Sequence, residues 1–144
     1  MSGWDGWLSN LMGDENNGLQ EGAIVGHTPG QESVWVASPV GTLGKITVAE
    51  IKMLVGKDRS PLFSGALTVG GVKCTTLRDA LLSEDVKTLD LKTKVYDGQP
   101  DTFGISIAKT PMALIICKGQ KDTHGGVLNK RVSELAEKLQ KAGY

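Results

Sequence analysis

The chain has 144 residues, with 16 Lys+Arg against 16 Asp+Glu, 40% hydrophobic and 22% charged. That is enough for one ordinary core, so residues 1–144 are expected to form a single domain, and it argues against disorder, a membrane-spanning protein or a nucleic-acid coat held by bulk charge. The neutral total hides a polarised chain: residues 1–50 hold one base and six acids, about −5, and residues 51–144 hold fifteen bases and ten acids, about +5.

Trp4, Trp7, Leu8, Leu11 and Met12 recur at i, i+3, i+4, i+7, i+8 and predict a helix of about three turns with one apolar stripe. Ser2 or Gly3 caps its start, and Gly13 with Asn16, Asn17 and Gly18 ends it. Ala23-Ile24-Val25-Gly26 and Ser33-Val34-Trp35-Val36-Ala37, separated by the turn cluster His27-Thr28-Pro29-Gly30, read as a hairpin. Thr47-Val48-Ala49-Glu50 fits a capping box for a helix with Ile51, Leu54 and Val55 on its apolar face and Gly56 at its end. Pro61 marks a loop.

From Gly65 onward the texture is strand-like. Ala66 to Val69, Val72 to Leu77, Thr88 to Lys94, Phe103 to Ala108 and Met112 to Cys117 are separated by Gly70-Gly71, Ser83-Glu84-Asp85, Asp97-Gly98-Gln99-Pro100 and Lys109-Thr110-Pro111. Connections this short favour antiparallel neighbours, since a parallel crossover needs a dozen residues or more. A last helix begins near Gly125 or Gly126, with Leu128, Val132, Leu135, Ala136 and Leu139 on one face and Gly143 as its stop. The expected architecture is one α+β domain: an antiparallel sheet of six or seven strands, flanked by helices from both chain ends.

The opening stretch carries acids rather than bases and has no long apolar core, unlike a secretory leader. Phosphate-loop, dinucleotide, zinc-protease and serine-hydrolase motifs are absent from the sequence. Cys74 and Cys117 make neither a disulfide framework nor a metal cluster; reduced thiols in a cytosolic chain are the simplest reading, with one disulfide left open by counting. Both lie in apolar segments, where a free Cys is usually a small core residue rather than a nucleophile served by His124. His124 itself reads either as a capping histidine or as an interface residue.

Of seven aromatic residues three are Trp. The Trp4–Trp7 stripe reads either as core or as a binding surface. Indole N–H groups beside flat ring faces suit polyproline II ligands, whose carbonyls lack internal hydrogen bonds and whose rings stack in aromatic grooves.

Several ordered blocks carry a resemblance. They are Trp-x-x-Trp-Leu-x-Asn-Leu-Met from Trp4 to Met12, Ala23 to Gly26, Ser33-Val34-Trp35, Leu54 to Arg59, Gly70-Gly71-x-Lys73-Cys74-x-x-x-Arg78-Asp79, Asp90 to Lys94, and His124-Gly125-Gly126-Val127-Leu128-Asn129-Lys130. Together they resemble the profilin family, of the vertebrate type, over essentially the whole length. The resemblance implies a central antiparallel sheet, with the N- and C-terminal helices together on one face and shorter helices on the other. It implies a cytoplasmic, cytoskeletal, monomeric protein without enzymatic activity or cofactor. Its partners would be monomeric actin, proline-rich segments of actin nucleation and elongation factors, and phosphoinositide headgroups. It would regulate actin polymerisation and speed nucleotide exchange on actin.

Carried over by position, the resemblance puts Trp4, Trp7, Asn10, Trp35, Leu139 and Tyr144 in a proline-binding groove. It puts Phe63, Lys73, Thr75, Arg78, Lys92, Lys94, His124, Gly126, Asn129, Lys130 and Glu134 on an actin face. Four positions depart from the common pattern: Trp7 where relatives often have Tyr, Lys138 for His, Ser133 for Tyr, and Lys92 for Arg, where the lysine ammonium cannot form the planar fork of a guanidinium. Ser133, Lys92 and Lys138 keep an alternative in view, an adaptor for proline-rich peptides with weak or no actin affinity.

Overall fold

The computed structural model describes residues 3–13, 17–95 and 100–144. Ser2, Asn16 and Asp97-Gly98-Gln99, expected at a helix start, a helix end and a turn, lie outside these residues.

Among the described residues seven strands form: β1 (Leu19–Gly26), β2 (Ser33–Ala37), β3 (Thr68–Val69), β4 (Val72–Ala80), β5 (Thr88–Thr93), β6 (Gly104–Lys109) and β7 (Ala113–Gly119). They make one sheet in the order β2-β1-β7-β6-β5-β4-β3, with every neighbouring pair antiparallel. β7 lies inside the sheet with every residue buried, which is why it reads as a continuous apolar run rather than an alternation. β1 starts earlier than its apolar run suggests, at Leu19, and Ala66-Leu67 precede β3 rather than join it. Pro61 sits in a 3-10 turn, Ser60–Phe63, instead of an irregular loop.

Helices α1 (Trp4–Met12), α2 (Val48–Val55) and α3 (Gly125–Lys141) complete the fold. The capping box of α2 is present in both directions: the Glu50 amide donates to Thr47 Oγ1 at 3.1 Å and the Thr47 amide to Glu50 Oε1 at 2.9 Å. The same carboxylate accepts from Thr68 Oγ1 and from the Gly70 and Gly71 amides, so one side chain starts the helix and ties it to the β3–β4 turn. α1 starts at Gly3 without a side-chain cap and ends at Gly13, whose φ of 61° suits glycine.

The sheet separates two cores. One holds α2, the 3-10 turns and Leu89, Leu91, Ile105, Ile107, Leu114 and Ile116. The other holds Leu11 of α1, the expected Leu128, Val132, Leu135, Ala136 and Leu139 of α3, and Ile24, Ile115 and Cys117. Each large α3 side chain removed from water stabilises the packing by about 1.5–3 kcal/mol. Cys74 lies in the first core and Cys117 in the second; both are free, which closes the disulfide alternative.

Candidate functional site

α1 packs over β1 and β2 at one side of the sheet, and α3 over β6 and β7 beside it. α3 reaches β5 only at its edge, through Asn129 and Asp90, and the β4 side chains Lys73, Thr75 and Arg78 beyond it are exposed. Two chemically different surfaces therefore flank α3.

The first is aromatic. Trp4 opens α1, Trp35 lies on the edge strand β2, and Tyr144 follows α3. Their ring centroids stand 4.6 Å (Trp4–Trp35), 4.9 Å (Trp4–Tyr144) and 6.0 Å (Trp35–Tyr144) apart, tilted or edge-on. A β-bulge produces this arrangement. Ile24 pairs with Val36 and Val25 with Val34, so Trp35 is the extra residue of β2. A bulge re-aims a side chain, and here Trp35 and Val36 both border the core beneath α1 and α3. The Trp35 indole lies on the backbone of Gly26, where a Cβ would meet its Nε1 at 2.7 Å and Cε2 at 2.9 Å.

Trp4, Trp7 and Trp35 are half-buried, so the α1 stripe is both core and surface, and Tyr144 is 37% exposed. Asn10 is exposed. Leu139 is 0% exposed and forms the floor of the cluster rather than a surface contact. Lys138 is exposed on the last turn of α3.

The second surface is basic. Lys73, Thr75 and Arg78 of β4 and Lys92 of β5 are exposed, with Thr75 paired to Lys92 and Arg78 to Asp90. The Lys94 amide donates to the Lys73 carbonyl at 2.9 Å. Among the described residues, Lys73, Arg78, Lys92 and Lys94 make no ion pair. Phe63, 63% exposed, shares a 130 Å³ hollow with Thr75 and Lys94. A larger groove of about 650 Å³ gathers Lys73, Lys94 and Lys45, the last not singled out from the sequence.

The first turns of α3 border this face. Asn129 donates to both Asp90 oxygens at 3.0 and 3.3 Å, and Ser106 donates to Oδ1 at 2.8 Å, fixing the helix to β5 and β6. Lys130 and Glu134 are exposed and pair at 3.9 Å. His124 is a cap: its Nδ1 accepts from the Gly126 amide at 2.9 Å, while the ring stays exposed. Ser133 Oγ reaches Asn129 Oδ1 at 3.5 Å.

Sequence reasoning missed Leu77. It is the extra residue of a second bulge, because Thr76 pairs with Leu91 and Arg78 with Asp90. The bulge leaves Leu77 62% exposed beside Asp90 and Lys92. Register irregularity of this kind leaves no trace in an apolar-polar pattern.

The two thiols are poor nucleophiles. Burial pushes Cys74 up to about 11 and Cys117 up to about 12, so both are neutral thiols near neutral pH.

A family model described as Profilin matches residues 2–144. The chain belongs to the profilin family. Profilin-1 of Bos taurus is 43% identical over 144 residues, all of both chains, and Profilin-2 of Rattus norvegicus is 38% identical over the same span. A structure of mouse profilin IIa in complex with a double repeat from the FH1 domain of mDia1 superimposes with a TM-score of 0.91 at 36% identity. That likeness covers 99% of this chain and 100% of the mouse chain. The profilin fold thus accounts for the seven strands and three helices of the described residues.

Proposed function

We infer that this chain binds monomeric actin through the basic face and proline-rich segments through the aromatic cluster, and so regulates actin polymerisation. The observation that carries the reading is the placement of an aromatic and a basic surface on opposite flanks of α3. The ligand bound to the mouse relative supports the aromatic half. The rings contact one another and together offer open faces and edges across which an extended chain can lay its proline rings, and such a ligand loses little conformational entropy on binding.

The basic half suits an acidic protein surface. Lys73, Arg78, Lys92 and Lys94 are the cations, Phe63, Thr75 and Leu77 add shape, and His124, Gly126, Asn129, Lys130 and Glu134 extend the face along α3. Acceleration of nucleotide exchange needs no acid, base or nucleophile from this chain. It requires that one nucleotide state of actin be bound more tightly than another, because a ligand shifts an equilibrium only by its difference in affinity. The protein is accordingly read as a binding protein of the cytoplasm and cytoskeleton, acting as one domain and not as an enzyme. Anionic phosphoinositide headgroups are a third ligand class for the exposed lysines.

The adaptor alternative keeps one observation in its favour: Asn129 is already bound to Asp90, and Lys130 to Glu134, within the chain. A pyrene-actin assembly assay separates the readings. Suppressed spontaneous nucleation is expected; unchanged assembly, from protein that an oligoproline column retains, selects the adaptor.

A further inference from the structure

We propose that Thr110 is a positioning residue for the aromatic cluster, holding Tyr144 as its third wall. The inference rests on the reading of the cluster as the proline site and names the residue that orders one of its rings.

Residues beyond a final helix fray unless something ties them down. Tyr144 is tied by its backbone at three points. Its amide donates to the Leu139 carbonyl at 3.2 Å, and its main-chain oxygen accepts from the Met112 amide at 2.9 Å and from Thr110 Oγ1 at 3.0 Å. Thr110 is 1% exposed, so its hydroxyl is placed for this contact rather than for water. The turn that presents it is braced from behind. His27 Nε2 meets the Thr110 carbonyl at 2.8 Å, and the His27 amide donates to the Met112 carbonyl at 3.0 Å. The Ala113 amide also donates to Thr110 Oγ1, at 2.9 Å. The β6–β7 turn thus grips the backbone of Tyr144 while the ring stays partly open against Trp4 and Trp35.

The consequence is preorganisation. Ordering a rotamer-rich side chain at an interface costs about 0.5–1.5 kcal/mol, and a site that has met this cost before the ligand arrives binds more tightly. Thr110 touches no ligand; it acts through Tyr144.

The test titrates full-length protein with a decaproline peptide. Thr110→Val is expected to weaken binding about two- to tenfold, and Thr110→Ser, which keeps the hydroxyl, to bind as the parent does. In a Tyr144→Ala background, Thr110→Val is expected to add nothing, since residues acting through one another are non-additive. Hydrogen exchange at the Tyr144 amide, which bonds Leu139 and not Thr110, should, read without ligand, speed up in Thr110→Val and not in Thr110→Ser. Parental affinity in Thr110→Val, or an equal loss with and without the Tyr144 ring, overturns the proposal. If Thr110→Val does not fold, Thr110→Cys, a similar shape with a weaker donor, takes its place under the same criteria. Failure of the parent protein to bind decaproline is a separate outcome: it overturns the ligand assignment and this proposal with it, whereas parental binding with an indifferent Thr110 overturns the proposal alone.

Discussion

Trp4 and Gly26 show how much single residues decide at the aromatic cluster. Trp4 contacts both other rings, and aromatic anchors at the centre of an interface are the usual hot spots. Trp4→Ala is expected to weaken oligoproline binding by about 2 kcal/mol or more; calorimetric titration checks the size, and a loss under tenfold would make Trp4 peripheral. Gly26 is subtler. It is not in the left-handed region, yet any side chain there strikes the Trp35 indole at 2.7–3.0 Å. Gly26→Ala should tilt the ring at an overpacking cost of about 1–3 kcal/mol. Both a shifted tryptophan emission and weaker oligoproline binding are expected; emission and affinity that match the parent would mean the sheet, not the ring, gives way.

Elements are placed by a few polar ties as much as by their apolar faces. Arg131 of α3 donates to the Leu11 carbonyl from Nε at 3.2 Å and Nη2 at 2.9 Å, and from Nη2 to the Asn10 carbonyl at 3.4 Å, so it satisfies the open end of α1. Arg131→Met should keep the aliphatic packing, lose these bonds and loosen α1; faster amide exchange confined to residues 4–12 is the expected signature. Glu50 ties α2 to the β3–β4 turn in the same way. Burial alone would raise its pKa, but hydrogen bonds from Thr68, Gly71, Thr47 and Gly70 together outweigh that and hold it below the usual glutamate range. A depressed folded-state pKa contributes stability above the unfolded value, lost as pH falls through the folded one. Glu50→Gln should therefore flatten the acid limb of a urea-stability profile below about pH 4.5; an unchanged slope would place that dependence elsewhere. Legibility in the sequence follows from the same physics. The Thr47–Glu50 box, the α3 stripe and the antiparallel sheet were readable because local spacing encodes them. The residues of both surfaces came from resemblance, and Leu77 and the aim of Trp35 were missed because a bulge depends on the partner strand. Arg131 and Thr110 were invisible for a related reason: each bonds a backbone distant in sequence.

At the scale of the whole molecule, part of the chain's basic half gathers on one surface. Lys73, Arg78, Lys92 and Lys94 lie on the β4–β5 side, exposed or half-buried and without ion-pair partners among the described residues, while ring faces dominate the α1–β2 side. The two binding reactions should therefore respond differently to salt. Raising ionic strength from about 0.01 M to about 0.1 M shortens the Debye length from about 30 Å to about 10 Å. Attraction between an unpaired basic face and an acidic protein is screened over that range, chiefly through the association rate. Oligoproline carries no charge along its length, and its contacts with ring faces and indole N–H groups are short-ranged. With a non-polymerisable actin as the probe, the association rate should fall several-fold across this range, while decaproline affinity changes by less than about twofold. Lys73→Ala with Arg78→Ala should shrink the salt response of actin and leave the decaproline titration untouched. An identical salt response for both ligands would remove the electrostatic contrast between the two faces, and loss of both ligands in the doubly substituted, folded protein would mean that they share one surface and would remove the two-faced arrangement on which the functional reading stands.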